Sequence, residues 1–194
     1  DSEVYAMSMG AIKSAIAIAS ELESETIIVH AYDPDFPKDI VNDASINQLI
    51  DAYSNLAAFA QPYGVRVAIE NLEEPYSQQL LDSLLEHVKD LTFCFDIGHA
   101  NVGKTMTYYL PKYMNRLSAL HIHDNHGETD EHLIPGEGEI DIAGFFKLLK
   151  DHQYEGYTGI EVHGVDKAGT DSPLKTAMLI REQMDLLVTK AATS

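Results

Sequence analysis

Short apolar runs alternate with helical patterns along this chain, and each run closes on a residue that can bind a metal. The runs are continuously apolar rather than alternating, which is typical of strands buried on both faces of a parallel sheet. The residues that close them are His30, Glu70, Asp96, His121 and Glu161. In a (β/α) barrel the carboxyl ends of the strands meet at one mouth, where the active site is built. The pattern therefore predicts an α/β barrel with a metal site at that mouth.

The predicted elements fill most of the 194 residues. Strands are expected at 26–31, 65–70, 92–96, 117–123 and 157–162. Helices are expected at 7–24, 44–61, 77–89, 105–115, 141–153 and 173–190. We find neither a low-complexity linker nor a change of composition, so the sequence predicts a single domain over residues 1–194.

The segment from Leu120 to Gly138 is the richest in metal-binding side chains. It reads LHIHDNHGETDEHLIPGEG and contains His121, His123, Asp124, His126, Asp130 and His132. Neutral imidazoles and carboxylates suit zinc, manganese and similar divalent ions, and magnesium and cobalt are compatible with the same ligands. The alternative for a single His-x-His is a polar loop on an acidic surface. The apolar run before His121 favours the end of a buried strand, and hence a metal site.

Composition narrows the classes of partner. The chain carries 13 basic and 31 acidic residues, for a formal charge of −18. Proteins that bind nucleic acid use a basic face to neutralise phosphates, so this charge argues against DNA or RNA. No apolar run reaches the roughly 18 residues that a membrane span needs. The single cysteine, Cys94, excludes an internal disulfide and is consistent with the cytoplasm.

Five motifs together resemble the xylose-isomerase-like TIM barrel superfamily, which includes sugar phosphate isomerases and epimerases and endonuclease IV. The resemblance covers nearly the whole chain, and only the combination of motifs is specific. The motifs are Ala68-Ile-Glu-Asn71, Phe95-Asp-Ile-Gly-His99, His121-Ile-His-Asp124, Asp130-Glu-His132 leading into Pro135-Gly-Glu-Gly138, and Ile160-Glu161.

The resemblance assigns roles to individual residues. It implies that the catalytic divalent metal of the sugar epimerases is held here by Glu70, Asp96, His121 and Glu161, and that Glu70 and Glu161 are also the acid–base pair. It implies that His99, Asp130 and His132 match further zinc ligands of endonuclease IV, and that His30 is an additional ligand. The positions required for more than one metal are therefore present.

The chain is shorter than the family pattern. Such barrels need about 250 residues, and this chain opens in a helix that would follow an early strand. We therefore expect two or three strands of the barrel before residue 1.

Three functions are compatible with these residues. The first is a metal-dependent isomerase or epimerase of a small sugar or sugar phosphate, which abstracts a proton through a metal-stabilised enediolate. The second is a hydrolase that resembles endonuclease IV and cleaves a phosphodiester. The third is a metal-stabilised binding domain, although mixed His, Glu and Asp ligands suit an open catalytic site better. The sequence leaves open the sugar, the metal and whether the protein is a homo-oligomer.

Several nearby residues are assigned other roles. His123 ends the same strand as His121 and is predicted to support the site or the fold rather than to bind the metal. His126 is predicted to be a solvated loop residue, and Asp141 the N-cap of the following helix. Lys104 and Lys167 follow predicted strands, where they could meet a phosphate.

Overall fold

The computed structural model describes residues 2–32, 42–163 and 173–193. Its strands are β1 Thr26–His30, β2 Arg66–Glu70, β3 Thr92–Asp96, β4 Leu117–Ile122 and β5 Tyr157–Ile160. Its α-helices are α1 Ser2–Glu21, α2 Asp43–Ala60, α3 Pro75–His87, α4 Ile97–Val102, α5 Met106–Tyr113, α6 Ile142–Asp151 and α7 Pro173–Thr193. The predicted α/β class is confirmed, and every predicted strand and helix is present. Lys167 lies outside the described residues.

The five strands are parallel and follow one another in the sheet in chain order. Strand β1 pairs with β2 from Thr26↔Arg66 to His30↔Glu70, and β2 pairs with β3 up to Glu70↔Cys94. This order is expected when helical crossovers join successive parallel strands. The register places the last residues of β1 and β2 side by side.

The chain divides into two compact units, and the division crosses β3 after Phe95 and β4 after Ala119. The first unit comprises Asp1–Phe95 and Asn115–Ala119, and the second comprises Asp96–Met114 and Leu120–Ser194. Each unit contains its own buried apolar residues.

The first unit is built on the buried faces of β2 and β3. Val67, Ile69, Phe93 and Phe95 are at most 1% exposed, as expected for central strands with helices against them. On the other face three small side chains, Ala68, Cys94 and Ala119, form a buried cluster of their own. Each of the three stands two residues before a predicted metal ligand.

The second unit contains a long loop between β4 and α6, which Asp124 organises. The backbone of Asp124 pairs with Leu133 in an antiparallel bridge. Its buried carboxylate accepts hydrogen bonds from the backbone N–H groups of Asn125, Gly136 and Ile140, at 2.9–3.1 Å. A single buried side chain thus holds the loop to the end of β4. The predicted N-cap is confirmed, because Asp141 accepts a hydrogen bond from the N–H of Gly144 at 3.0 Å.

Two features differ from the sequence prediction. Helix α4 was not predicted, and the two outermost strands are less buried than a continuous apolar run suggests. All four residues of β5 are exposed, and His30 ends β1 in an exposed position. In the described part of the chain, β1 and β5 each have one neighbouring strand. No helix in the described residues combines the length and the apolar character needed to cross a bilayer.

Candidate metal centre

In the first unit, His30 and Glu70 form a pair at the ends of β1 and β2. The Nε2 atom of His30 lies 3.3 Å from Oε2 of Glu70. The side chain of Glu70 is 2% exposed, whereas that of His30 is 44% exposed. The parallel register brings the two together, since His30 and Glu70 are partners in the ladder. Glu70 is therefore a buried carboxylate in contact with a partly exposed imidazole.

In the second unit, the predicted ligands Asp96, His121 and Glu161 lie together. The Nδ1 atom of His121 is 3.0 Å from Oε2 of Glu161 and 3.8 Å from Oδ2 of Asp96. The side chain of Asp96 is fully buried, and that of Glu161 is 38% exposed. One imidazole nitrogen thus faces two carboxylates, one buried and one reachable from solvent. Crowded carboxylates of this kind suit a divalent cation, which offsets their mutual repulsion.

Hydrogen bonds fix the orientation of Asp96. Its Oδ1 accepts the backbone N–H of His99 at 2.7 Å, which makes Asp96 the N-cap of α4. The same Oδ1 lies 3.1 Å from Nε2 of His123. Oδ2 is thereby turned toward His121. The fixed carboxylate can present that oxygen to an ion without a large loss of side-chain entropy.

A second cluster of the same unit contains His99, His123, Asp130 and His132. One donor atom from each lies within 4.8 Å of the others. Asp130 is central: its Oδ2 lies 3.2 Å from Nε2 of His99 and 2.7 Å from Nε2 of His132, and its Oδ1 lies 3.5 Å from Nε2 of His123. The sequence predicted three of these residues as ligands, and the structure brings those three together with His123.

The hydrogen-bonding pattern of His132 tests whether a metal suits this cluster. Its Nδ1 lies 2.8 Å from the backbone carbonyl oxygen of Glu161, which can only accept, so Nδ1 carries the hydrogen. In a neutral ring Nε2 then carries a lone pair, and this lone pair faces Oδ2 of Asp130. Such a contact is repulsive unless a proton or a cation lies between the two atoms. An imidazole whose other nitrogen donates to a backbone carbonyl is the usual metal-binding arrangement, so the donors fit a divalent ion.

Two further observations support the fit. Asp130 Oδ1 and His123 Nδ1 are buried and have no hydrogen-bond partner among the described residues. His132 has a φ of 49°, a left-handed conformation that is strained for a residue with a side chain. Strain and unsatisfied polar atoms concentrate at functional sites.

The pKa values of the cluster follow from its charges. Burial alone would raise the pKa of Asp130, but the hydrogen bond to His99 and the charges of His99, His123 and His132 outweigh burial and lower the pKa to about 2. Burial lowers the pKa of His123, yet its hydrogen bond to Asp96 and the charges of Asp96 and Asp130 leave it above the ordinary value. Asp130 is therefore an anion at neutral pH, as a metal ligand must be.

The residues around these two groups of ligands differ in their contacts and exposure. His126 is 52% exposed and pairs with Glu131 at 2.8 Å, as expected of a loop residue. Lys104 donates to the carbonyl of Gly127 at 2.9 Å. His163 stacks on His132 with ring centres 3.8 Å apart. His163 forms a further ligand-type group with His132 and Glu161.

Gly98 provides a test of the packing that holds His123 in place. A Cβ atom at this position would lie 1.8 Å from Cε1 of His123, so Gly98→Ala must displace the ring or the backbone. We expect a loss of unfolding free energy of at least about 1–3 kcal/mol, the usual cost of overpacking. Urea denaturation measures it. Gly10→Ala is the matched control, because its Cβ would meet nothing within 4 Å and it lies inside α1. Equal stability of both variants would contradict the packing described.

Comparison with known proteins identifies the fold. Residues 1–189 match the family described as the Xylose isomerase-like TIM barrel. An uncharacterised protein of Methanocaldococcus jannaschii is 32% identical, with 97% of this chain and 66% of that protein covered. Fructoselysine 3-epimerase of Shigella flexneri is 25% identical over 84% of this chain and 61% of its own length. The chain therefore spans about two thirds or less of these relatives.

Comparison with solved structures identifies the same fold. A D-tagatose 3-epimerase-like protein matches with a TM-score of 0.78 and 27% identity, covering 98% of this chain and 73% of that one. An IolI protein with a bound zinc atom matches with a TM-score of 0.83 and 18% identity, covering 98% and 72%. The second likeness concerns the fold alone. The predicted TIM-barrel type is confirmed, and these comparisons do not favour the phosphodiesterase alternative.

Proposed function

Because this chain belongs to the xylose isomerase-like TIM barrel family, we propose that it is a divalent-metal-dependent isomerase or epimerase of a small sugar or sugar phosphate. The relatives and structural neighbours support an enzyme of this kind, since they include sugar epimerases and isomerases. The observation that carries the proposal is the grouping of Asp96, His121 and Glu161, in which two carboxylates face one imidazole nitrogen.

We propose Glu70 as the fourth ligand of this metal site. The argument rests on the pleat of the strands, in which side chains two residues apart share a face. Ala68, Cys94 and Ala119 share a buried cluster, and Glu70, Asp96 and His121 each follow one of them by two residues. Small side chains on this face leave space for the larger ligands at the strand ends. The in-register pair Glu70↔Cys94 supports the same arrangement.

The reaction we propose is proton transfer at the carbon between a carbonyl and a hydroxyl group. A divalent ion held by these residues would supply positive charge beside the two sugar oxygens and favour the enediolate form of the substrate. Glu161, with its partly exposed side chain, accepts the proton, and buried Glu70, protonated at the start, donates its own proton to the opposite face, so that the two side chains exchange protonation states in one turnover. Isomerisation and epimerisation then differ only in the carbon or face that receives the proton.

We also propose a second metal position at His99, Asp130 and His132, and a ligand role for His30. The support for the second position is the convergence of His99 and His132 on the carboxylate of Asp130. The support for His30 is its contact with Glu70. Zinc or manganese suits all these ligands, and magnesium or cobalt is compatible with them. A cytoplasmic location completes the proposal, with the single cysteine, Cys94, buried.

An epimerisation assay tests this function. The full-length protein is incubated with zinc or manganese and a panel of ketoses and ketose phosphates, and new isomers are followed by NMR. We expect conversion that stops when a chelator removes the metal and resumes when metal is returned. Metal-dependent cleavage of a phosphodiester with no conversion of any sugar would refute the proposal.

A further inference from the structure

We infer that Tyr53 and Tyr32 are positioning residues, whose hydroxyl groups hold the end of β1 so that the imidazole of His30 meets Glu70. The inference rests on the ligand roles proposed for His30 and Glu70, but it does not depend on the sugar reaction. Both tyrosines act on the backbone that carries His30 rather than on its imidazole.

His30 needs such support because it ends a strand with one neighbour. In the described part of the chain, β1 pairs only with β2. The side chain of His30 is 44% exposed, whereas that of its partner Glu70 is 2% exposed. An exposed side chain at a strand end samples several rotamers and loses that freedom when it binds an ion. Holding the backbone in one place reduces this loss and directs the ring.

Tyr53 holds the backbone of His30 itself. Its hydroxyl donates a hydrogen bond to the carbonyl oxygen of His30 at 2.5 Å. Tyr53 is 5% exposed and lies in α2, whose start is fixed by a capping box between Asn42 and Ser45. Burial raises the pKa of Tyr53, so the hydroxyl keeps its hydrogen and remains a donor at neutral pH. A buried side chain of a helix therefore fixes the last carbonyl group of β1.

Tyr32 holds the chain two residues farther on. Its hydroxyl donates to Oε2 of Glu74 at 2.6 Å, and its ring meets that of Tyr76 with centres 4.9 Å apart. Glu74 directly precedes α3, and Tyr76 lies in the first turn of that helix. Burial and the hydrogen bond to Glu74 both raise the pKa of Tyr32, so this hydroxyl also remains a donor. The chain that leaves β1 is thereby attached to the chain that leaves β2.

The two attachments enclose the pair formed by His30 and Glu70. Tyr53 fixes the backbone at His30, and the bond from Tyr32 to Glu74 joins the segments that follow the two strands. Between these attachments, Nε2 of His30 lies 3.3 Å from Oε2 of Glu70. Because the ladder already sets His30 opposite Glu70, the tyrosines need only keep the strand end from moving away. The imidazole is thus presented to the buried carboxylate before an ion binds.

Crystals of the metal-free full-length protein test the positioning directly. Tyr53→Phe and Tyr32→Phe each remove one hydroxyl group and keep the aromatic ring that packs. We expect His30 to take one orientation beside Glu70 in wild type, and to be displaced or divided between orientations in each variant. An unchanged His30 in either folded variant would overturn the inference. If Tyr53→Phe does not fold, Tyr32→Phe decides, because its ring is only half-buried.

Tyr154→Phe is the matched control for the crystals. The hydroxyl of Tyr154 also donates to a backbone carbonyl, that of Tyr157 at 2.8 Å, at the first residue of β5. The same chemical change there leaves both attachments of β1 in place. We therefore expect His30 in this variant to keep its wild-type orientation, and a displaced ring would overturn the inference.

Zinc affinity separates a positioning role from a general loss of stability. Wild type, Tyr53→Phe, His30→Ala and the double variant are titrated as full-length proteins, in competition with a chromogenic chelator. We expect about 10-fold weaker binding in Tyr53→Phe, at the lower end of the effect of residues that support a metal ligand. The double variant should bind no more weakly than His30→Ala, because Tyr53 acts through His30.

Two outcomes of this cycle would overturn the inference. One is a further 10-fold loss in the double variant relative to His30→Ala, and the other is weaker binding in His30→Ala without any in Tyr53→Phe. Unchanged zinc binding by His30→Ala would instead refute the ligand role proposed for His30, and the metal-free crystals would then decide the inference. Sugar conversion is assayed separately, so failure of the proposed reaction leaves both readouts intact.

Discussion

Replacing Glu161 by glutamine is expected to lower sugar turnover by about 10²–10⁴-fold while most of the bound metal remains. The amide keeps the shape of the side chain and a carbonyl oxygen that can still bind an ion, but it cannot accept a proton. The side chain is 38% exposed and lies 3.0 Å from Nδ1 of His121, so the change leaves the buried part of the site in place. Turnover number and metal content per chain are measured on the same preparation.

Glu155→Gln is the matched control for this variant. Glu155 is an exposed carboxylate just before β5, and the same change there removes a charge without touching the cluster. We expect its turnover and metal content to equal those of wild type. If Glu161→Gln instead lost its metal as completely as its turnover, Glu161 would be a ligand without a proton-transfer role.

Asp96→Asn is expected to abolish both metal binding at the catalytic site and turnover. Changes to residues that merely support a metal ligand already weaken binding by about 10–100-fold, so loss of a buried charged ligand should exceed about 100-fold. The amide preserves the cap of α4, because its oxygen can still accept the N–H of His99. The fold is therefore expected to survive, and titration of the metal-free protein with zinc measures the affinity.

Asp141→Asn is the control for the two roles of Asp96, which is both the N-cap of α4 and a proposed metal ligand. Asp141 caps α6 through the same kind of hydrogen bond, to the N–H of Gly144, and contributes to no ligand group found in the described residues. Because asparagine caps a helix about as well as aspartate, this control should bind metal and convert sugar normally. Tight zinc binding by Asp96→Asn would show that Asp96 only positions its neighbours.

The strands and the residues that end them could be predicted because both signals are local. A continuous apolar run bounded by turns marks a buried strand, and the first polar residue after it marks the strand end. For this reason the sequence predicts Glu70 and Asp96 as the last residues of their strands, and the structure has them at the ends of β2 and β3. Helix α4 was missed because Ile97–Val102 is too short to display a helical period. Its start was nevertheless encoded by Asp96, whose capping role was not recognised.

The surroundings of His123 could not be read from the sequence. Alternation places His123 on the same side as His121, but it does not reveal which distant segments cover His123. In the structure α4 and the loop lie there, so His123 is fully buried and meets Asp96 and Asp130, which are distant in sequence. The exposure of β5 is likewise a tertiary property, since it depends on which strands and helices are neighbours. Contacts between separate segments, rather than local patterns, decide both features.

Solvent deuterium exchange tests the central claim most directly, because proton abstraction next to a carbonyl labels a sugar even when net conversion is slow. The full-length protein is incubated in heavy water with manganese or zinc and a panel of ketoses and their phosphates, and the sugars are analysed by mass spectrometry. We expect deuterium incorporation that requires metal and disappears in Glu161→Gln. Absence of exchange with every sugar, together with metal-dependent cleavage of a phosphodiester, would contradict the account.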